Sequence, residues 1–364
     1  MSITTGAYNQ PGQPPQYLFQ RDWSVQIIPI GPLPGPLRDK YGNPLYQLLT
    51  DQAVIYSRQQ QSQNPPNKNG PFNNLRISFN FQLSLVGQAD EAVLKVYNFN
   101  SQSRELYQKG CRIIISAGYV GLMKQILIGE TKSSKIMTEK KKSDAPGSVR
   151  QGTDIVTTFN LGVSQRQFET NIFYNSYPAN TTILTILRDL ASALGVSKAT
   201  LIGIDENTYF YRPQTFTYTV KAALNRMTIG NNLQWTVIND ELIIMPFGYC
   251  FNPNAIVLSS GTNPDGTPTT NTGLIGLPFQ AQGGIVNFSC LLNPDIIPGQ
   301  LVQLISRNVN GFFIVRNARY VGDSYGKDWH IECECYPENR VNTSVINVNQ
   351  VQSQNAGLAI GGGI

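Results

Sequence analysis

Apolar and polar residues alternate along most of this chain. In LRISFNFQLS (75–84), Ile77, Phe79, Phe81 and Leu83 are spaced by Ser78, Asn80 and Gln82. A period of two predicts a strand with one wet face. The same reading predicts strands at Trp23–Ile30, Ala92–Phe99, Gly110–Ala117, Gln125–Gly129 and Asp154–Leu161, with a short one at Ala53–Ser57. The period then changes. In TTILTILRDLASALG, Ile183, Leu187, Leu190 and Leu194 share one helical face; Thr181 or Thr182 can cap the start and Gly195 the end. A second helix is predicted over Val220–Ile229. QWTVINDELIIMP follows, in which Asn239 and Asp240 separate two apolar runs as in a hairpin. Residues 171–247 thus read as a compact α+β unit. Strands resume at Ile285–Cys290, Leu301–Ser306, Gly311–Tyr320 and Trp329–Cys335.

Two stretches share an order of features. A strand reaches Asn98, Gly110 opens GCRIIISA, a hairpin strand follows, and Gly152 opens the last strand. Later a strand reaches Leu292 and Asn293, Gly299 opens GQLVQLIS, hairpin strands follow, and Gly326 opens the last strand. The first stretch is longer, and the Lys-rich excursion at 131–150 can hold the difference. This order predicts two related antiparallel β-barrels. Closure removes the edge strands that small sheets otherwise expose.

The remaining segments read as connections. Residues 1–20 form an irregular arm, and 31–74 is rich in Pro, Gly and Gln. Residues 131–150 carry the basic run Lys140, Lys141 and Lys142, and 355–364 is flexible by composition.

Composition narrows the chemistry. The 33 Asn and 28 Gln outnumber the 51 charged residues among 364, so the surface is polar mainly through amides. The net charge of +5 is too small to argue for a nucleic-acid binder. Residues 251–300 contain no Lys, Arg or Glu, which predicts burial within the fold or against another chain. His330 is the one histidine, so a His-rich metal site is excluded and any Ser-His-Asp or Cys-His scheme must pass through it. Five cysteines without regular spacing do not form a disulfide framework and fit a reducing compartment. Cys333 and Cys335 share one strand face, as small core-facing residues or as a paired thiol or metal site; His330 falls on the opposite face. No nucleotide, zinc or nucleophile-elbow motif is present. No apolar run reaches about 18 residues, so no membrane insertion is expected. The Lys140–Lys142 run reads as a solvated loop tip, or as a contact for nucleic acid or an acidic partner.

The order of segments resembles the central baseplate hub of contractile-tailed bacteriophages, a family similar to the hub region of type VI secretion spikes. The carrying segments are EAVLKVYNFN with GCRIIISAGY, the helical stretch TTILTILRDLASALG with VKAALNRM and NNLQWTVINDELIIMP, then TGLIGLP, LLNPDIIPGQLVQLIS and GDSYGKDWHIECEC. They span most of residues 75–336; the stretch at 31–74 and the Lys-rich loop depart from the pattern.

The resemblance implies a mainly β fold with a smaller α+β unit: two tube-like antiparallel β-barrels per chain with an inserted helical and hairpin domain. The division is an N-terminal arm (1–20), a first barrel (21–170) with long loops at 31–74 and 131–150, an inserted domain (171–250), a second barrel (251–340) and a flexible tail (341–364). It implies a non-enzymatic homotrimer in the virion baseplate, assembled in the host cytoplasm without cofactors. Its partners would be a tail tube protein, a central spike protein and baseplate wedge proteins, with phage DNA passing through the bore. Matched segments give candidate interface residues: Leu274, Ile275, Leu291, Leu292, Asn293 and Pro294, with Lys140, Lys141 and Lys142. Two other readings stay open. One is a hub-associated cell-wall hydrolase using the 171–247 unit. The other is a carbohydrate- or receptor-binding tail protein using Tyr209, Phe210 and Tyr211.

Overall fold

The computed structural model describes residues 21–29, 53–56, 75–85, 91–99, 111–140, 153–162, 171–196, 198–338, 340–341 and 345–347. Lys141, Lys142, Gly110, Gly152 and the segments 1–20 and 348–364 lie outside the described residues, as does most of 31–74.

The first part holds β1 (Arg21–Pro29), β2 (Ala53–Tyr56), β3 (Ile77–Ser84), β4 (Glu91–Tyr97), β5 (Cys111–Tyr119), β6 (Lys124–Lys140) and β7 (Thr153–Gly162). The alternation works as the sequence predicts: Ile77, Phe79, Phe81 and Leu83 are buried while Asn80 and Gln82 face solvent. β6 continues through Lys140, where a loop from Thr131 was expected. Polar KSSK residues carry no alternation, yet β7 pairs with them in register as far as Lys140↔Thr153.

The middle unit runs β8 (Ile172–Tyr177), β9 (Thr181–Thr182), α1 (Ile183–Leu194), β10 (Lys198–Ile202), β11 (Tyr209–Phe210), β12 (Gln214–Thr219), α2 (Val220–Ile229), β13 (Leu233–Ile238) and β14 (Glu241–Pro246). Thr182 caps α1 by accepting from the Thr185 amide, and Gly195 closes it in the left-handed conformation. Asn239 and Asp240 both take positive φ, the requirement of a tight hairpin turn. A separate apolar core fills this unit, built on Ile186, Leu187, Leu190, Leu194, Phe216, Leu224, Trp235 and Ile244. The alternate face of β14, Ile243 and Met245, joins the main core. The hairpin tip also reaches the first part: Asp240 lies 3.6 Å from Arg112.

The last part comprises β15 (Tyr249–Cys250), β16 (Asn252–Thr262), β17 (Pro268–Asn271), β18 (Leu274–Gln280), β19 (Val286–Leu291), β20 (Gln300–Ile305), β21 (Asn310–Asp323), β22 (Trp329–Pro337), β23 (Arg340–Val341) and β24 (Val345–Asn347). The ladders of the first and last parts join as one 14-stranded sheet, because β21 pairs with β20, with β22 and also with β3 of the first part. β24 lies within the tail expected to be flexible, and it adds an antiparallel edge to β10.

The sheet contains the internal echo. In the first part the hydrogen-bonded order is β3-β4-β7-β6-β5, and in the last part it is β18-β19-β22-β21-β20; every pairing is antiparallel. In both, the long hairpin strand carries one extra residue against its partner: Lys132 in β6 opposite β7, and Arg316 in β21 opposite β22. Aligned at these bulges, Cys111 falls on Gln300 and Ile155 on Trp329, so the residues flanking the two glycine pairs coincide. Buried Thr157, Phe159 and Leu161 then fall on buried Ile331, Cys333 and Cys335, and Ile113 and Ile115 on Val302 and Leu304. The extra length of the first copy is shared between the β5–β6 turn and the β6–β7 hairpin rather than confined to 131–150. The copies part ways at the outer neighbour, where β1 is antiparallel to β5 but β16 is parallel to β20.

Candidate interaction surface

The surface is built where the two copies meet and where the second copy ends. At the joint, β21 lies antiparallel to β3 from Asn317↔Ser84 to Asp323↔Ser78. Phe81 and Tyr320 stack across it with centroids 4.8 Å apart, and the buried Tyr320 hydroxyl donates to the Ile296 carbonyl at 2.7 Å. Gly322 is required here, since a Cβ would meet the Phe79 ring at 2.2 Å. Arg76 donates to both carboxylate oxygens of Asp323, at 3.1 and 2.6 Å. Burial opposes ionisation of Asp323, but Arg76 and the amides of Tyr325 and Gly326 outweigh it and hold the carboxyl below the usual range. Arg21 donates to the carbonyls of Asp323, Gly326 and Lys327, tying β1 to the same turn.

At the far end of the second copy, β18 pairs only with β19 among the described strands. Its outer side chains are apolar: Ile275, Leu277 and Phe279 are 45%, 58% and 61% exposed. They border an open groove of about 510 Å³ whose floor is the polar outer face of β19, β21 and β22, including Asn287, Arg319, Glu332 and Glu334. Arg319 donates to Glu332 and to Asn80 of β3, and Arg316 to Glu334. The floor charges are therefore already paired.

Of the nine residues predicted for an interface, Ile275 is the exposed one whose side chain is described. Leu274, Leu292, Asn293 and Pro294 are buried within the chain, and Leu291 is half-buried beside the main core. The Asn293 side chain instead shapes the following turn, accepting from the Asp295 amide. Lys140 ends β6, and Lys141 and Lys142 lie outside the described residues. Sequence reasoning missed Leu277 and Phe279. In LIGLPFQ three apolar residues at alternate positions were a usable signal.

All five cysteines are buried and none forms a disulfide. Burial pushes the Cys333 and Cys335 thiols well above their ordinary range, and Cys111 up to about 11, so they stay protonated. His330 is half-buried, 3.5 Å from Glu332. No cluster of three metal-ligating side chains occurs among the described residues, and no described helix is long and apolar enough to cross a membrane. In the middle unit Tyr209 and Tyr211 meet edge-on at 5.3 Å and are exposed, while Phe210 packs against the helical core.

No protein-family model matches the sequence, and no curated protein matches it. Solved structures similar to it include a 43 kDa tail protein of prophage MuSo2 from Shewanella oneidensis, at 11% identity and TM-score 0.47, covering 73% of this chain and 99% of that one. A tail protein from Neisseria meningitidis has 11% identity and TM-score 0.47, covering 71% of this chain and 91% of that one. An Escherichia coli type VI secretion component, described as similar to the T4 tail proteins gp27 and gp5, has 8% identity and TM-score 0.47, covering 74% and 76%.

Proposed function

We propose that the chain is a structural baseplate hub of a contractile phage tail, and that its duplicated sheet adapts a hexameric tail tube to a trimeric central spike. The observation that carries this reading is the repeated five-strand order with its matched bulges. A chain with two copies of one unit forms a six-unit ring from three chains, while its remaining surface stays threefold. Closed rings of this kind use head-to-tail contacts. Each copy forms one tube-like barrel wall. In support, the Thr272 amide donates to the Ser259 carbonyl of β16, and the adjacent Gly273 carbonyl accepts from the Leu291 amide of β19. The absence of Lys, Arg and Glu from 251–300 suits surfaces buried between chains, since unpaired buried charge is costly. The bore passes phage DNA without reading it. The protein resides in the virion tail after assembly in the host cytoplasm, with tube, spike and wedge proteins as partners and no catalytic step of its own.

The test is a mass measurement by light scattering on the purified chain. Three chains of 40.3 kDa per particle are expected. A stable monomer overturns the hub reading. The exposed Tyr209–Tyr211 pair favours one other reading, a carbohydrate-binding tail protein, and sugar binding by such a monomer on a glycan array would establish it.

A further inference from the structure

The middle unit carries a two-stranded ribbon with one face in use and one face free. Among the described strands β8 and β12 pair only with each other, antiparallel from Ile172↔Thr219 to Tyr177↔Gln214. The inner face serves the core: Phe173, Tyr177 and Phe216 are buried there, with Phe216 edge-on to the other two rings at 5.9 and 6.0 Å. Below, the Tyr177 hydroxyl donates to Asp189 at 2.7 Å and accepts from Asn175 at 2.8 Å, which pins β8 to α1. The strand period sends Ile172, Tyr174 and Ser176 of β8 and Thr215 and Thr217 of β12 to the outer face, and all five are exposed. Tyr174 is 71% exposed and directly opposite Thr217, and the Ser176 and Thr215 hydroxyls lie 3.4 Å apart across the ribbon.

We infer that this outer face is a binding platform for a neutral glycan chain. A sugar ring offers an apolar C–H face, which an exposed aromatic ring covers, and hydroxyls, which Ser and Thr hydroxyls meet as donors or acceptors. The ribbon presents both in one flat array. From Ile172 to Ser176 it runs about 14 Å at the strand rise, enough for more than one sugar ring. The chemistry of the face selects the occupant. None of the five side chains is charged, so nothing on the face attracts a nucleic acid or another anionic polymer. Three of the five are Ser or Thr, whereas protein interfaces concentrate Arg, Met and large aromatics and are poor in Ser, so a protein partner fits less well. The buried rings and the Tyr177–Asp189 bond hold the platform in place before binding, which keeps the ordering cost low. The platform lies within one chain and does not rest on the ring reading; an assembly of three chains presents it three times, and a long glycan then gains avidity.

Saturation-transfer NMR on the full-length protein tests the platform, with chitohexaose, cellohexaose and maltohexaose as neutral probes and a heparin hexasaccharide as the anionic comparison. The expected result is transfer to the C–H protons of at least one neutral sugar and none to heparin. Tyr174→Ala should weaken that binding at least tenfold while leaving the thermal midpoint unchanged, because the side chain is exposed. Tyr174→Phe keeps the ring and should retain affinity within about twofold. Silence from all three neutral sugars, or stronger transfer to heparin, overturns the platform. So does binding that survives Tyr174→Ala, or that is lost in Tyr211→Ala instead, which moves the site to the Tyr209–Tyr211 pair. A Tyr174→Ala variant that loses its oligomeric state marks the face as a contact between copies and overturns the platform as well. A trimer that binds no sugar keeps the hub reading without the platform, and a monomer that binds through Tyr174 does the reverse.

Discussion

β3 and β18 hold the same place in the two copies and meet different fates. β3 is sealed: its apolar side chains are buried, its polar ones face solvent, and β21 covers its edge. β18 reverses the pattern, with Ile275, Leu277 and Phe279 outward and no described strand beyond it. The difference teaches that two copies of one strand order need not share one surface: what packs on each face within the chain decides which face of the strand is apolar.

The comparison breaks most sharply at the sealed joint. Phe81→Ala removes a buried ring stacked on Tyr320, and should cost about 3–5 kcal/mol of unfolding free energy, read as a lower urea midpoint. Asp323→Asn should cost about 1 kcal/mol, discounted because Arg76 is partly exposed. The native carboxyl titrates below its unfolded value, so its contribution is present above about pH 4 and is lost as pH falls through the folded value. Urea midpoints of wild type and Asp323→Asn should therefore differ at pH 7 and converge on acidification below pH 4. Phe279→Ser should change monomer stability by less than about 0.5 kcal/mol, because the side chain is exposed, while still weakening self-association in sedimentation runs. Equal costs for Phe81→Ala and Phe279→Ser would erase the distinction between sealed and vacant edges.

Local physics made much of this fold legible. Alternation located β3, β4, β5, β7, β19 and β22, and capping residues framed α1. The positive-φ pair Asn239–Asp240 placed the hairpin, and the glycine-spaced echo foreshadowed the repeated ladder. The β21–β3 joint was not legible, since nothing near Ser84 announces a partner at Asn317. β16 was missed because NPNAIVLSSGT mixes turn residues with a strand that pairs in parallel. Among the candidate interface residues, Ile275 is exposed, whereas Leu292, Asn293 and Pro294 are buried within the chain. Apolar residues wanted by the chain's own core and by a partner have the same composition, and only three-dimensional burial separates them.

The joint also sets a clock. Asn80 and Arg319, bonded across it, are 239 residues apart in sequence. At typical synthesis speeds the ribosome needs roughly 10–50 s to bridge that interval. Throughout it the nascent first copy waits with the flank of β3 bare, and slower synthesis prolongs that exposure.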